Sequence, residues 1–310
     1  MRILFVGAGA IGSLFGGILA TTESVWLVGR ERHINAIKHD GLLVFSRGKE
    51  LLSHPMVSEE VPEKLDFDCV IVTTKVFDLK MALLSIRRAG LADIPIIILQ
   101  NGYGNEEIAR EILPESSILR AITTEGAHIP TPGQVVRAGI GRTLVGFSKS
   151  LKLQQTLSTE FCKKLSSVGL TATATAEIAA WTWGKVLVNA TINPICALVN
   201  CKNGLILENP HLNGLMRRLV SELTQLSKCI GAKLPFEDLR EEVERVLLET
   251  KENRCSMLQD IMAKRQTEIK FLNGQLSKLA QRQKIPTAIN NSLLGFILGK
   301  EKIGFRDADF

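Results

Sequence analysis

The sequence predicts an α/β protein: a Rossmann-type N-terminal domain on a mostly parallel sheet, followed by an all-α C-terminal domain. Three observations carry that prediction. Short, almost continuously apolar β-rich runs alternate with helical patterns through the first hundred residues, as in parallel sheets covered on both faces. A glycine-rich turn, GAGAIG at residues 7–12, stands between the first such run and the first helical pattern. From about Thr175 the β-rich alternation stops and helix-length patterns take over.

Taken in order, residues 3–6, 25–28, 69–73 and 95–99 read as strands, with helical patterns between them such as 78–88. After Asn101, residues 117–124, 134–138 and 142–147 read as a meander of further strands, turned at Thr131-Pro132-Gly133. A helix over 151–168 and a strand over 170–174 complete a first domain of residues 1–174. The second domain, 175–310, is expected to hold helices over 176–199, 210–230, 236–249, 256–264, 267–282 and 287–298. Gly204, Gly231, Asn253 and Pro286 mark the breaks between them.

At 310 residues the chain can bury a sizeable core and divide into two domains. Its 45% hydrophobic and 23% charged residues describe a soluble globular protein, not a disordered one. The net charge of +6 raises the question of nucleic acid, but bases interleave with acids, as in REEVERV from Arg240. Only 5% of residues are aromatic, with a single tyrosine, which leaves little to stack on bases. A nucleic-acid partner is therefore not expected, whereas the modest positive charge suits anionic small ligands.

Cysteines stand at 69, 162, 196, 201, 229 and 255, with no CxxC pair and no histidine cluster beside them. Neither a metal site nor a disulfide framework is expected, and reduced thiols point to the cytoplasm. The apolar N-terminus superficially resembles a signal peptide, but five glycines within twenty residues and no A-x-A site argue for a strand, turn and helix. No window reaches a charge-free transmembrane length, so no membrane partner is expected. A homodimer is compatible with the sequence, which does not display an assembly state.

GAGAIG has the G-x-G-x-x-G form in the strand–turn–helix context that gives this motif meaning. Gly7 permits the tight turn, Gly9 lets the backbone approach a pyrophosphate, and Gly12 allows close helix–strand packing. Ala8, Ala10 and Ile11 complete the loop, whose helix N-terminus offers N–H groups to an anion. An NAD enzyme usually ends its second strand with Asp or Glu to bind the ribose 2′-hydroxyl. Here the strand ends Gly29-Arg30, and an arginine fork suits the 2′-phosphate of NADP(H). Glu31 follows and could equally cap a helix. Lys75, in VTTK, ends a later strand on the expected ligand edge, and Asn101 of LQNG ends another.

The stretch WTWGKVLVNATINP, residues 181–194, is apolar on most sides yet carries Lys185, Asn189 and Asn193 four apart. That spacing places them on one helical stripe. Either the stripe faces solvent, or it lines a polar pocket that spares the amine and amides the cost of unpartnered burial. Partial burial also lowers a lysine's pKa from about 10.4 towards a range useful for proton donation.

Together GAGAIG, VTTK, LQNG, GKVLVNATINP, NCKNG, SMLQD and RQTEI resemble, in order and over essentially the whole chain, the ketopantoate reductase (2-dehydropantoate 2-reductase) family. The resemblance implies NADPH-dependent reduction of ketopantoate to pantoate, a step of pantothenate and coenzyme A biosynthesis. It implies Lys185 as proton donor and Glu268 as a second catalytic group near nicotinamide and substrate. Asn189, Asn193, Asn203, Asn253 and Ser256 match substrate-pocket positions, Ser256 as the group that holds the carboxylate. Asn101 matches a contact to both cofactor and substrate, Arg30 and Lys75 match the adenosine-phosphate contacts, and Ala127 matches a cofactor backbone contact. Each also has an ordinary reading. Ser256 with Gln259 has the form of a capping box, Glu268 lies among Lys264, Arg265 and Lys270 like a solvated helix acid, and Asn203-Gly204 could be a simple turn. The competing functions are reduction of another 2-keto acid and non-catalytic sensing of NADP(H). A 3-hydroxy-acid dehydrogenase of similar plan is disfavoured by NCKNG and SMLQD.

Overall fold

The computed structural model describes residues 1–306, and side chains through residue 303. The chain forms two compact units, Met1–Gln100 with Gly104–Ile178, and Asn101–Tyr103 with Ala179–Phe310.

The first unit begins with β1 (Arg2–Val6), α1 (Ala10–Leu19), β2 (Ser24–Val28), α2 (Glu31–Asp40), β3 (Leu42–Ser46), β4 (Lys49–Ser53), β5 (Met56–Ser58) and β6 (Cys69–Val72). It continues through α3 (Leu79–Arg88), β7 (Ile96–Ile98), α4 (Asn105–Ile112), β8 (Ile118–Thr123), β9 (Gly126–His128), β10 (Gln134–Gly139), β11 (Thr143–Gly146), α5 (Lys152–Ser167) and β12 (Ala172–Thr175). Eight strands form the main sheet in the order β12-β11-β8-β7-β6-β1-β2-β5, parallel except between β8 and β11. Alternate residues of β1 enter different cores, Ile3 and Phe5 on one face and Leu4 and Val6 on the other, because strand side chains alternate sides. Val6 lies opposite both Val28 and Val72. β1, β2 and β6 therefore end level, and the turns that follow them share one edge.

The sequence expectation of a meander fails at residues 134–138. β10 pairs parallel with β3 and antiparallel with β9, in a separate four-stranded sheet ordered β4-β3-β10-β9. Strands β3 and β4 carry little hairpin signal in the sequence because they turn at Arg47-Gly48, both with positive φ (52° and 71°). Such a turn normally advertises itself as Asn-Gly or Asp-Gly.

The second unit holds α6 (Ile178–Val199, of which Ala179 onward belongs here), α7 (Leu205–Glu208), α8 (Pro210–Cys229), α9 (Leu239–Glu249), α10 (Ser256–Met262), a 3-10 turn at Ile269–Phe271, α11 (Asn273–Arg282) and α12 (Ala288–Arg306). Caps fix several starts. Asn209 accepts the N–H groups of His211 and Leu212 with Pro210 at the first helical position, and Asp238 accepts those of Arg240 and Glu241. Two expectations are corrected. Ser256 does not cap its helix; Cys255 does, its Sγ accepting the Leu258 N–H at 3.4 Å, while Gln259 donates to the Arg254 carbonyl. Residues 267–282 are not one helix either, for the backbone breaks at Leu272 (φ −107°, ψ −95°).

Just beyond that break, Asn273 answers Pro194. Pro194 lies inside α6, where a proline has no N–H for the carbonyl four residues back. The orphaned Ala190 oxygen instead accepts from Asn273 Nδ2 at 2.9 Å. Asn273 is fully buried, and its amide also donates to Asn290 Oδ1 (2.9 Å), while Asn290 returns a bond to the Asn273 carbonyl (3.0 Å). Asn273 is the first residue of α11 and ties the start of that helix to α6.

Among the described residues no helix is long and apolar enough to cross a membrane, and no His, Cys, Asp and Glu group could hold a metal. All six cysteines are free thiols. Replacing Asn273 with Ala is expected to cost about 1–3 kcal/mol, since it strands buried polar groups of Ala190 and Asn290. Urea unfolding of the purified variant measures this loss.

Candidate active site

The glycine turn of the first unit is built by close approaches. Gly7 has φ +118°, and a Cβ there would stand 2.5 Å from the Thr74 nitrogen. At Gly12 a Cβ would meet the Gly7 oxygen at 2.2 Å, so α1 can begin this near to β1 only without a side chain. Gly9 is the opposite case, with nothing within 4 Å of a Cβ. The open face at Gly9 leads onto Ala10, Ile11 and Gly12, the first turn of α1, whose N–H groups have no intrahelical acceptor. Ala8 is buried beneath the turn and donates its N–H to the Val28 carbonyl at 2.7 Å. A diphosphate fits this cradle by both shape and charge.

Arg30 stands two residues past β2, after Gly29, exposed and in extended backbone at the N-cap of α2. Lys75 follows β6, half-buried, at the start of a 3-10 turn. Gln100 ties that strand end down by donating from Nε2 to the Thr74 carbonyl (2.8 Å), Thr74 Oγ1 (3.0 Å) and the Lys75 carbonyl (3.4 Å). The buried Arg120 guanidinium in turn donates to the Gln100 carbonyl at 2.7 Å and to Glu106 at 3.2 Å. Ala127 is half-buried on β9, in the smaller sheet, and β9 packs against α1.

His33 braces α1 from behind. Its Nδ1 accepts the Gly133 N–H at 3.1 Å, so in the neutral ring Nε2 carries the proton and donates to Ser13 Oγ at 2.9 Å. Burial pushes its pKa below the usual 6.5.

In the second unit, Lys185 and Asn189 are half-buried and Asn193 is buried at 6% exposure, so the stripe on α6 is not a solvated face. Asn193, Ser256, Met257, Asp260, Glu268 and Leu272 line one narrow, closely packed recess. Glu268 is 7% exposed and accepts from Asn101 Nδ2 at 3.0 Å. It is therefore not a solvated helix acid. Asn101 belongs to this unit because the short loop Asn101–Tyr103 is held in it. Gly102, at φ +89°, lies against the Phe271 carbonyl, and Tyr103 packs its ring 4.4 Å from that of Trp183. Ser256 is exposed at the recess rim, whereas Asp260 is buried and paired with Arg265 at 3.1 Å.

Asn203 and Asn253 stand apart from that recess. Asn203 is buried, with its amide spent on Thr250 Oγ1 (2.9 Å) and the Cys196 thiol (3.5 Å), and its N–H goes to the Asn253 carbonyl. The Asn253 side chain is exposed. Sequence reasoning missed Asp260, Met257 and Leu272. The four-residue spacing of Ser256 and Asp260 was the available signal, since it puts both on one helical face. Three buried thiols surround this region, and Cys255 donates to the Asn193 carbonyl at 3.6 Å. Contact with Cys196 lowers the Cys255 pKa, while the same contact and burial push Cys196 up.

A glycine turn of this form, between a central parallel strand and its helix, defines a dinucleotide-binding unit. The description "Ketopantoate reductase PanE/ApbA" matches residues 3–150, and its C-terminal counterpart matches residues 177–301. A 2-dehydropantoate 2-reductase of Pyrococcus horikoshii is 35% identical over 98% of this chain and 99% of its own. The chain belongs to the ketopantoate reductase family. Among solved structures, a PanE/ApbA family ketopantoate reductase from Ralstonia eutropha JMP134 shares the fold (TM-score 0.89, 22% identity, 98% of this chain and 99% of that one). A D-mandelate dehydrogenase in complex with NADH is similar at TM-score 0.82 and 25% identity, covering 97% of this chain and 99% of that one.

Gly9→Ala should leave the melting temperature unchanged but weaken nicotinamide dinucleotide binding, because its methyl enters the open cradle. Gly12→Ala should instead lower the melting temperature; calorimetric unfolding and cofactor titration separate the two. The folded protein resists protonating His33, while the unfolded chain takes that proton near pH 6.5. Stability from this group is thus present above that pH and lost as the pH falls below it. Unfolding midpoints between pH 7.5 and 5.5 should fall less steeply in His33→Asn than in the native protein.

Proposed function

We propose that the protein is an NADPH-dependent 2-dehydropantoate 2-reductase that converts ketopantoate to pantoate in the cytoplasm. The observation that carries this reading is the meeting of Asn193, Ser256 and the Asn101-bound Glu268 around one recess. Its context is a chain similar over its full length to a 2-dehydropantoate 2-reductase.

The reaction adds a hydride to the keto carbon and a proton to its oxygen. Bound nicotinamide supplies the hydride. Lys185 donates the proton to the developing alkoxide, a contribution of about 10²–10⁴-fold for a positioned acid. Its place on the α6 stripe with Asn189 and Asn193 supports that role, because the flanking apolar faces of α6 are buried. Ser256 and Asn193 hold the substrate carboxylate and Asn189 shapes the pocket, while Asn203 and Asn253 act from outside it, the Asn203 N–H on the Asn253 carbonyl holding the turn that leads to Ser256. Glu268, fixed by Asn101, orients Lys185 or takes the substrate's distal hydroxyl.

For the cofactor, Gly7–Gly12 hold the diphosphate, and Ala127 meets the cofactor through its backbone. Arg30 and Lys75 hold the 2′-phosphate. This preference for NADP(H) is supported by the missing carboxylate at the end of β2, where Gly29 and Arg30 stand instead. The likeness to a D-mandelate dehydrogenase with NADH favours one second reading, reduction of a different 2-keto acid.

Following NADPH oxidation with ketopantoate and with a panel of 2-keto acids tests both readings. Ketopantoate should give the highest kcat/KM, and no turnover with any of them would reject a reductase. Lys185→Ala should lower kcat at least about 100-fold with unchanged NADPH affinity; activity kept within a few-fold would reject the proton-donor role. Equal kcat/KM with NADH would reject the role given to Arg30.

A further inference from the structure

The last described helix, α12, carries two adjacent charged residues, one reaching the end of α6 and the other the residue before Glu268. Lys300 Nζ donates to the carbonyls of Ala197 (2.8 Å) and Leu198 (3.0 Å). These lie in the last turn of α6, where carbonyls have no intrahelical donor and the helix dipole favours a cation. Glu301 is 8% exposed, and its Oε1 accepts both the N–H (2.8 Å) and the hydroxyl (2.5 Å) of Thr267. Thr267 is 1% exposed and directly precedes Glu268.

Residues 263–268 lie between α10 and the 3-10 turn; the N–H groups of Ala263, Lys264 and Arg265 reach backbone carbonyls, but the buried Thr267 N–H takes a side-chain acceptor. Glu301 supplies one, and its two charge-assisted bonds converge on one oxygen. Thr267 Oγ1 then accepts the Ile269 N–H at 3.3 Å, which pins the backbone on both sides of Glu268. We infer that Glu301 is a positioning residue for Glu268, setting through Thr267 the direction in which that carboxylate meets Asn101 and the recess. The inference rests on the preceding reading that Glu268 serves catalysis. A Glu301 variant with a free Thr267 lets Glu268 turn away without removing any group that touches substrate. Displacements of this kind cost about 10- to 100-fold in rate.

A double-mutant cycle on the full chain tests this, reading kcat with NADPH and ketopantoate for Glu268→Ala, Glu301→Ala and the double variant. Glu301→Ala should lose about 10- to 100-fold in kcat, and Glu301→Gln, which keeps an acceptor oxygen, should recover most of it. The double variant should be no slower than Glu268→Ala alone, because Glu301 acts only through Glu268. Losses that multiply, or unchanged kcat in Glu301→Ala, would overturn the inference while leaving the role of Glu268 intact. Unchanged kcat in Glu268→Ala would overturn that role, and the inference with it. Thermal unfolding accompanies each variant. If Glu301→Ala does not fold, Thr267→Val takes its place in the cycle, with the same non-additivity expected and the same multiplied losses overturning the inference.

Discussion

The helical unit depends on one buried carbonyl. Pro194 leaves the Ala190 oxygen without its helical donor, and an unsatisfied acceptor there would cost about 1–3 kcal/mol. Asn273 fills it, and the reciprocal amide bonds with Asn290 bring α12 into the same knot. Three helices are thereby fixed at the turn of α6 that presents Asn193. Asn273 follows directly on the break at Leu272, and Glu268 lies in the short non-helical segment before the 3-10 turn, where its carboxylate meets Asn101. A straight helix would have sent that acid round with the helical period.

The sheet unit solves a different problem, bringing backbone N–H groups close to an anion without steric obstruction. Gly7 and Gly12 accept contacts no side chain could accept, while Gly9 keeps an open face. Thr73 Oγ1 donates to the Gly7 carbonyl at 2.7 Å, locking the turn to β6. Because β1, β2 and β6 end in register, Arg30 and Lys75 follow strands beside the turn. Rigidity here comes from Gln100 and Arg120, whose bonds brace the ends of β6 and β7.

Much of this fold was legible because the strands of the main sheet are buried on both faces and read as unbroken apolar runs. The smaller sheet was hidden for physical reasons. β3 and β4 turn through Arg47, a residue with no sequence signature for positive φ, and β10 finds β3 across a long stretch of chain that local pattern does not encode. In the helical unit, the polar stripe of α6 stood out against its apolar neighbours. The recess was less visible, because Asp260 and Leu272 join Asn193 and Glu268 only through tertiary packing. Ser256 has the form of a capping residue, but the cap goes to the thiol of Cys255, a weak acceptor with no capping signature in sequence.

In the proposed reductase, the recess bounded by Asn193, Ser256 and Glu268 holds the acid group of a small keto acid. Calorimetric titration of pantoate into the NADP-loaded protein tests it most directly, because it reads binding without turnover. Ser256→Ala and Asn193→Ala should each weaken pantoate binding about tenfold or more, as expected for loss of hydrogen bonds to a charged group. NADP affinity should stay unchanged in both. Pantoate affinities equal to that of the native protein in both variants would contradict the account.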